Sequence, residues 1–263
     1  MCSHLNFKYI NHSKEETVLF LHGFLSDHRA FIDIIPEYEK TFNILLVDLP
    51  GFGKSKSVGI DYTIDTIADW IVEVLVECKL DHVHVVGYSM GGRVAASLIY
   101  NHETRVNRAV LESTTLGIND DDKRQERIEI DEYRALSIEA DYELFIEKWS
   151  NLGLFSSQIK LDNDSKNEQK ELRLSQTPLE VADSLRKYGT GTQTNYWPIM
   201  KSGKKILILA GEKDEKFVRL ANQMLQVFDD ATFTCIKNVG HNIHLENSVE
   251  FNERVINFLL EGQ

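Results

Sequence analysis

Cysteine and long apolar runs are scarce in this sequence. The three cysteines among its 263 residues, Cys2, Cys78 and Cys235, are odd in number and widely separated. Their positions support neither a disulfide framework nor a zinc site, so we expect no metal. No apolar run approaches the roughly 18 residues of a membrane-spanning helix, and the N-terminus lacks the apolar stretch of a secretion signal. The sequence therefore predicts a cytoplasmic protein without membrane contact.

Positive charge is also in short supply. Against 41 aspartates and glutamates the chain has 29 lysines and arginines, which gives a formal net charge of −12. Because a field of this sign repels nucleic acids and anionic membranes, we expect neither as a partner. An anionic small molecule remains compatible if cationic side chains converge locally. The length suits one large α/β domain, alone or with an insertion, and we expect a monomer or homodimer.

Short apolar runs alternate with amphipathic segments in the first 112 residues. The first run, at 6–10, is expected to form an edge strand. The later runs are typical of buried strands and lie at 17–21, 42–48, 83–86 and 106–112. Helical patterns lie between them at 29–38, stopped or kinked at Pro36, and at 63–78 and 94–100. Alternation of strands and helices predicts a mostly parallel, doubly wound sheet.

The pattern changes between residues 113 and 203, where helical spacing dominates and buried runs disappear. We expect helices over 138–149 and 178–187, the second with Thr177 as N-cap and Glu180 completing a capping box. Afterwards the alternation resumes, with strands at 206–210 and 231–236 and helices at 217–227 and 248–260. The sequence thus predicts an α/β core of residues 1–112 and 204–263, with an all-helical cap inserted at 113–203.

The motif Gly-x-Ser-x-Gly at 87–91 lies directly between a predicted strand and a predicted helix. In such a turn the serine adopts a strained conformation, and glycines at both flanks allow strand and helix to approach. Ser89 would then be held out in a cleft at a helix N-terminus, which favours developing negative charge. The context predicts a nucleophile elbow.

A serine at such an elbow needs a histidine within hydrogen-bond reach and an acid that orients the histidine. Asp214 follows the strand at 206–210, and His241 follows the strand at 231–236. We therefore predict a triad of Ser89, His241 and Asp214. Two alternatives stay open at this point: Glu212 as the acid, with Asp214 only a helix cap, and His244 as the base.

Two further residue groups are expected beside the serine. The segment His22-Gly23-Phe24 follows a buried strand and suits an oxyanion loop, in which the backbone N–H groups of Phe24 and Met90 bind developing negative charge. His22 itself is expected to be a buried turn residue bonded to backbone. Arg93 lies four residues after Ser89, and its guanidinium suits bidentate binding of a carboxylate better than a solvated helix position.

The whole chain resembles the α/β-hydrolase superfamily and, more narrowly, the 2-succinyl-6-hydroxy-2,4-cyclohexadiene-1-carboxylate synthases (MenH) of menaquinone biosynthesis. The most specific segments are the elbow with its trailing arginine and LRKYGTGTQTNYW. The resemblance is carried by HGFLSD (22–27), VDLPGFG (47–53), GYSMGGRVA (87–95), LESTTLG (111–117), ERIEIDEYRA (126–135), ELRLSQTP (171–178), LRKYGTGTQTNYW (185–197), AGEKDEKF (210–217) and GHNIHLE (240–246).

This resemblance implies a lyase without metal or organic cofactor. Its substrate would be a tricarboxylate, 2-succinyl-5-enolpyruvyl-6-hydroxy-3-cyclohexene-1-carboxylate, from which pyruvate is eliminated after proton abstraction by the triad. Whether Ser89 acts as base or as nucleophile stays open. The family pattern also implies substrate-binding roles for five residues: Tyr88, Arg93, Arg127, Trp149 and Arg173. Arg124 and Arg134 lie nearby in the sequence and remain rivals for the roles of Arg127 and Arg173.

Two other functions remain possible from sequence. A serine hydrolase acting on a carboxylate-bearing ester or C–C bond would use the same triad, although it would gain less from Arg93. A non-catalytic binding protein of the same fold would not need the complete set of Ser89, His241 and Asp214. A dehalogenase is disfavoured because its nucleophile would be an aspartate at the position of Ser89.

Overall fold

The computed structural model describes residues 4–261, and Cys2 lies outside them. Seven strands form one sheet in the order β1-β3-β2-β4-β5-β6-β7. Only β1 runs antiparallel, at the edge beside β3, and the other neighbours pair in parallel. The strands are β1 (Phe7–Ile10), β2 (Thr17–Leu21), β3 (Asn43–Val47), β4 (Val83–Tyr88), β5 (Val106–Glu112), β6 (Lys205–Gly211) and β7 (Asp230–Ile236).

Helices cover both faces of this sheet. Alternate strand residues such as Leu19 and Leu21 pack with α2, α3 and α8 on one face, while Val18 and Phe20 pack with α1 and α10 on the other. The helices are α1 (Ile35–Glu39), α2 (Ile64–Glu77), α3 (Met90–Asn101), α4 (Asp121–Ala140), α5 (Tyr142–Ser150), α6 (Asn163–Leu174), α7 (Pro178–Tyr188), α8 (Glu215–Met224), α9 (Ile243–Glu246) and α10 (Ser248–Leu260).

This architecture is the predicted doubly wound α/β-hydrolase fold. Because six strands run in the same direction, their carboxyl ends meet at one edge of the sheet. The segments after β2, β4, β6 and β7, which carry the predicted site residues, therefore come together although they are distant in sequence.

The expected helix over 29–38 is wrong. The chain instead forms a 3-10 helix at His28–Phe31 and then begins α1 at Ile35, with Pro36 in its first turn. The first turn of a helix accepts proline because its N–H groups have no intrahelical partner there. Pro36 therefore lies at the start of a helix, where the sequence analysis expected it to stop or kink one.

The expected single helix over 138–149 is also wrong. Asp141 adopts an extended conformation that ends α4, and its carboxylate accepts a hydrogen bond of 3.0 Å from the Leu144 N–H at the start of α5. By ending α4 and capping α5, the Asp141 side chain gives an N–H group in the first turn of α5 a hydrogen-bond acceptor, which favours two helices over one continuous helix. One side chain thus divides the segment in two.

The predicted capping box of α7 does not form, although the helix itself begins at Pro178 as expected. Thr177 makes no capping hydrogen bond with its side chain. The Glu180 carboxylate instead accepts the backbone N–H groups of Ser57 at 2.6 Å and Val58 at 2.9 Å. This contact fastens α7 to the loop between β3 and α2.

Helices α4 to α7 lie between β5 and β6 in the chain, which is the region expected to form a cap. Buried residues of this region, including Ile146, Val181 and Leu185, join the same apolar cluster as α2 and α3. The division at residues 113 and 203 stays a prediction. Within residues 4–261 none of the helices combines the length and apolarity that crossing a membrane requires.

Candidate active site

Ser89 lies in a sharp turn between β4 and α3. Its backbone has φ 50° and ψ −103°, a conformation that is unfavourable for a residue with a side chain. A Cβ atom on Gly87 would lie 2.6 Å from the Gly91 carbonyl oxygen, and one on Gly91 would lie 2.0 Å from that of Leu21. Glycine at both positions therefore permits the close strand–helix approach that holds the serine in place.

Ser89, His241 and Asp214 form a hydrogen-bonded chain. The Nε2 atom of His241 lies 2.9 Å from Ser89 Oγ, and its Nδ1 atom lies 2.6 Å from Asp214 Oδ2. Both His241 and Asp214 are buried. Because Nδ1–H donates to the carboxylate, Nε2 is free to accept the serine proton.

The two rival residues have other partners. Glu212 is exposed, lies 2.9 Å from Lys237 Nζ and accepts the N–H of Asn238, and the Lys237 ammonium lowers the pKa of this carboxyl. His244 is buried, and its Nδ1 lies 2.7 Å from Glu112 Oε2. Neither takes part in the hydrogen-bonded chain with Ser89.

Phe24 and Met90 both line the cleft that contains Ser89 and His241. Within residues 4–261 no hydrogen bond leads from either backbone N–H to another residue. The N–H of Met90 is one of the unpaired donors at the start of α3. Two donors are thus available beside the serine, as an oxyanion hole requires.

His22 is buried and bonded to backbone on both sides of its ring. Nε2 accepts the Leu49 N–H at 2.9 Å, so the proton is on Nδ1, which donates to the Gly23 carbonyl at 2.8 Å. Burial lowers the pKa of His22, which keeps it neutral. Because the Gly23 carbonyl and the Phe24 N–H belong to one trans peptide and point in opposite directions, this bond directs the N–H away from His22.

The cleft has a volume of about 190 Å³ and is rich in positive charge. No carboxylate lines it among the described residues. Four cationic side chains do, from α3, α4 and α8: Arg93, Arg127, Arg134 and Lys216. In a protein of net charge −12 this concentration of cations favours an anionic ligand.

Arg93 is the cation most enclosed by protein. Its side chain is buried, and its Nη1 donates to the Tyr188 carbonyl at 2.8 Å and approaches Gln193 Oε1 at 3.4 Å. It forms no ion pair with a carboxylate of residues 4–261. Burial, with the nearby charge of Arg127 adding to it, lowers the pKa of Arg93 to about 10. A buried guanidinium with only neutral partners leaves its charge unbalanced.

Arg127 and Arg134 share one buried carboxylate on their own helix. Both oxygens of Asp131 lie 2.9 Å from Arg127 Nε, and one lies 3.0 Å from Arg134 Nη1. Arg124 donates instead to the Gly191 carbonyl and does not line the cleft. Of the two rivals weighed from the sequence, Arg134 reaches the cleft and Arg124 does not.

Lys216 was missed by the sequence analysis. It follows Asp214 by two residues and lines the cleft, with its ammonium 5.3 Å from the Phe217 ring centroid. Within residues 4–261 it forms no ion pair. A cation so soon after a predicted catalytic aspartate, at the carboxyl edge of the sheet, was the signal that could have identified it.

Tyr88, Trp149 and Arg173 are near the cleft but do not line it. The Tyr88 ring packs 5.5 Å from that of His241, and the Trp149 ring packs 5.0 Å from that of Phe24. The Arg173 guanidinium donates to Ser150 Oγ and lies over the Phe155 ring, which itself packs against His241. Phe155 therefore contacts both Arg173 and the base, and Arg173 lines a separate groove of the cap region.

Comparison with known proteins identifies the family. A model of the α/β hydrolase fold matches residues 16–248. The chain belongs to the α/β-hydrolase family. It is 32% identical to a putative 2-succinyl-6-hydroxy-2,4-cyclohexadiene-1-carboxylate synthase of Bacillus subtilis, over 93% of this chain and 90% of that protein. A synthase of the same name from Escherichia coli is 28% identical, with 88% of each chain covered.

Solved structures agree with this assignment. The structure of MenH from S. aureus superposes on this α/β-hydrolase with a TM-score of 0.92 at 36% identity, covering 99% of both chains. A thermophilic esterase from Thermogutta terrifontis reaches a TM-score of 0.83 at 20% identity, covering 97% of this chain and 92% of the esterase, which is evidence for the fold alone.

One cluster of potential metal ligands exists in the described part of this α/β-hydrolase: Asp27, His28 and Asp48. Its donor atoms are already engaged within the protein. Asp48 Oδ1 lies 2.7 Å from Nδ1 of the His28 ring, and Asp48 Oδ2 accepts a hydrogen bond of 3.0 Å from the Lys54 N–H. Asp27 forms an ion pair with Arg29. These contacts account for the cluster as a link between the loop after β2, which carries Asp27 and His28, and the loop after β3, which begins at Asp48.

Proposed function

We propose that this protein is a 2-succinyl-6-hydroxy-2,4-cyclohexadiene-1-carboxylate synthase, a carbon–oxygen lyase of menaquinone biosynthesis acting in the cytoplasm. The observation that carries the proposal is the buried, carboxylate-free guanidinium of Arg93 beside Ser89. A simple esterase gains little from such a charge, whereas an enzyme with a polyanionic substrate gains a binding contact. The similarity to synthases of this name over almost the whole chain supports the same assignment.

The charge in the cleft suits three substrate carboxylates. Four cations line the cleft, and two of them, Arg127 and Arg134, share the single carboxylate of Asp131, so positive charge is in excess there. Arg93 offers its unpaired N–H groups for a bidentate contact, and Arg127 and Arg134 offer those not used by Asp131. Arg173, which lines a separate groove, would join only if the cap region rearranges around the substrate.

The reaction is a vinylogous elimination. His241, acting with Ser89, removes the proton on C2 of the ring, next to the succinyl ketone. The electron pair forms the C2–C3 double bond, the C3–C4 double bond moves to C4–C5, and the C5–O bond breaks. The leaving group is the enolate of pyruvate, which takes up a proton and becomes pyruvate. The product is the 2,4-diene, and no oxidant or cofactor takes part.

The oxyanion donors act on the ketone rather than on an ester. As C2 loses its proton, negative charge develops on the ketone oxygen, and the N–H groups of Phe24 and Met90 stabilise it there. The hydrogen bond from His22 to the Gly23 carbonyl keeps the Phe24 peptide in one orientation, so no reorganisation is needed when the charge appears. Asp214 keeps the proton of His241 on Nδ1 and stabilises the imidazolium that forms.

The helical cap, which we place at residues 113–203, would close the site from water. It supplies Arg127 and Arg134 from α4 and the aromatic ring of Trp149 from α5. Exclusion of water strengthens the ion pairs with the carboxylates and disfavours hydrolysis relative to elimination.

The deciding experiment measures diene absorbance and pyruvate release from the enolpyruvyl substrate, alongside hydrolysis of a panel of nitrophenyl esters. We expect diene and pyruvate in equal amounts, with negligible ester hydrolysis. Ser89→Ala should abolish turnover, and Arg93→Ala should lower kcat/KM by about 10- to 100-fold, the loss of one charge-assisted contact.

A matched control is Arg219→Ala, because Arg219 is exposed on α8 and its partner is Glu215 at 3.7 Å. This variant should keep wild-type kinetics. Ester hydrolysis without diene formation would contradict the lyase assignment and favour a hydrolase whose arginines recognise another acid. Full diene formation by Ser89→Ala would contradict the role of the elbow.

A further inference from the structure

A second buried acid–histidine pair lies next to the predicted triad and has no part in the proposed chemistry. Glu112 ends β5 and is fully buried, and His244 lies on α9, three residues after His241. Nδ1 of His244 lies 2.7 Å from Glu112 Oε2. The sequence analysis considered His244 only as an alternative base, and it did not consider Glu112.

Glu112 contacts both the elbow and the loop that carries the base. Its backbone carbonyl accepts the N–H of Ser89 at 2.8 Å. Its carboxylate Oε1 accepts the N–H groups of Ile243 at 2.7 Å and His244 at 3.1 Å, directly after His241. One residue therefore joins two segments that are 152 positions apart in sequence and must meet within 2.9 Å.

The surroundings of the pair are mainly aromatic and, within residues 4–261, contain no lysine or arginine paired with Glu112. The His244 ring packs 4.9 Å from the Phe31 ring and 4.8 Å from the Tyr88 ring. Three nitrogen donors bind the carboxylate: the N–H groups of Ile243 and His244 and Nδ1 of the His244 ring. His244 Nε2 is buried without a hydrogen-bond partner among the described residues, so Glu112 is the only group there to which the ring is hydrogen-bonded.

Burying a carboxylate in such a place is costly, and an apolar pair would stabilise the fold at lower cost. Stability alone therefore does not explain the charge. An acceptor that binds two consecutive N–H groups and one ring nitrogen defines the path of a loop more narrowly than apolar packing does, because hydrogen bonds are directional.

We propose that Glu112 is a positioning residue that sets the distance between Ser89 Oγ and His241 Nε2, with His244 holding its second carboxylate oxygen. It touches no substrate and acts through the elbow and the base. The inference concerns the serine–histidine pair itself and holds for a lyase or a hydrolase. It can therefore fail or succeed independently of the proposed substrate.

The test compares Glu112→Gln, Glu112→Ala and His244→Leu with Val110→Ala, a buried apolar truncation on the same strand. Two quantities are measured on the full chain: the rate at which a fluorophosphonate modifies Ser89, and kcat and KM for the enolpyruvyl substrate. Thermal midpoints are recorded for every variant. Fluorophosphonate attack needs the activated serine and the oxyanion donors but none of the arginines, so it reports on the serine–histidine geometry independently of substrate binding.

We expect Glu112→Ala to slow serine modification and kcat together by about 100-fold, the scale of a 1 Å misplacement, with KM within 2-fold of wild type. Glu112→Gln keeps one acceptor and should lose about 10-fold, and His244→Leu, which spares both N–H contacts, should lose less. Val110→Ala should lower the thermal midpoint without slowing serine modification.

The proposal is overturned if Glu112→Ala or Glu112→Gln lowers the thermal midpoint as Val110→Ala does but leaves serine modification at the wild-type rate. If Glu112→Ala does not fold, the Glu112→Gln and His244→Leu variants decide by the same criterion. Normal serine modification with no diene formation in the wild type would contradict the proposed substrate and leave the role of Glu112 standing.

Discussion

The Arg93 side chain donates a hydrogen bond of 2.8 Å to the backbone carbonyl of Tyr188, the last residue of α7. The contact joins the helix that begins at the nucleophile elbow to the last helix of the cap region. A carbonyl dipole orients the guanidinium but does not neutralise it, so the remaining N–H groups keep their affinity for an anion. Positioning and ligand binding are thus combined in one side chain.

Arg93→Lys tests the need for the planar guanidinium. Lysine keeps the charge but cannot donate to the Tyr188 carbonyl and also bind a carboxylate with two parallel bonds. We expect KM for the enolpyruvyl substrate to rise about 10-fold, with a smaller change in kcat. Steady-state kinetics measure this, and wild-type KM in Arg93→Lys would show that charge alone suffices.

Arg134 and Arg124 lie on the same helix, and only Arg134 lines the cleft. Arg134→Ala should raise KM by about 10-fold, since a contact to a charged group contributes about 1.5 kcal/mol or more. Arg124→Ala is the matched variant and should keep KM within 2-fold. The reverse ranking would place the substrate on the other side of α4. Titration with a non-reactive tricarboxylate analogue of the substrate gives an independent measure of affinity.

His22 is predicted to affect turnover without affecting binding. His22→Ala removes the donor that holds the Gly23 carbonyl, so the Phe24 N–H loses its fixed direction. We expect kcat to fall about 10- to 100-fold with KM unchanged, because the oxyanion contact acts in the transition state. His12→Ala, at a half-exposed histidine paired with Glu39, serves as control. Equal loss in kcat and affinity would instead indicate a disordered loop.

Asp65 on α2 is predicted to make stability depend on pH. Burial by itself would raise the pKa of Asp65, but hydrogen bonds from Thr194, Tyr196 and Ser97 outweigh it and lower the pKa. A lowered folded-state pKa contributes stability that is present above the unfolded pKa, about 3.9, and is lost as pH falls through the folded value.

Asp65→Asn should therefore lower the free energy of unfolding at pH 7 by about 2 kcal/mol. The difference from wild type should shrink below about pH 4, as the wild-type carboxyl becomes protonated. Urea unfolding at several pH values measures both quantities. Asp69→Asn, at an exposed carboxylate on the same helix, is the control. A difference that is constant from pH 7 to pH 3 would contradict this account.

Several elements followed from short-range patterns in the sequence. Thr63 caps α2 with Thr66 in a reciprocal capping box, and α10 has the bounds expected for it. Ser89 lies in the strained turn that Gly87 and Gly91 permit. Each of these depends on residues a few positions apart, whose steric and hydrogen-bonding needs can be judged without knowing the rest of the fold.

Other assignments needed the assembled molecule. Glu180 had the spacing of a capping residue, yet the loop containing Ser57 offers it two stronger N–H partners. Arg124 and Arg134 carry the same charge on one helix, and only the position of α4 over the sheet shows which of them faces the cleft. The spacing of residues along a helix does not reveal which part of the protein each face of that helix packs against.

Local sequence was sufficient for the turn at Ser89, for the placement of Asp214 and His241 after successive strands, and for the fold class. These features rest on backbone sterics and on the periodicity of apolar residues. The sequence favoured Asp214 and left Glu212 as an alternative, and the assembled structure places Asp214 against His241. Tertiary packing also encloses Arg93 without a carboxylate partner and brings Glu112 between Ser89 and the loop after His241. The physical reason is that burial and electrostatic environment are properties of neighbours in space. Those neighbours meet only when the carboxyl ends of distant strands converge.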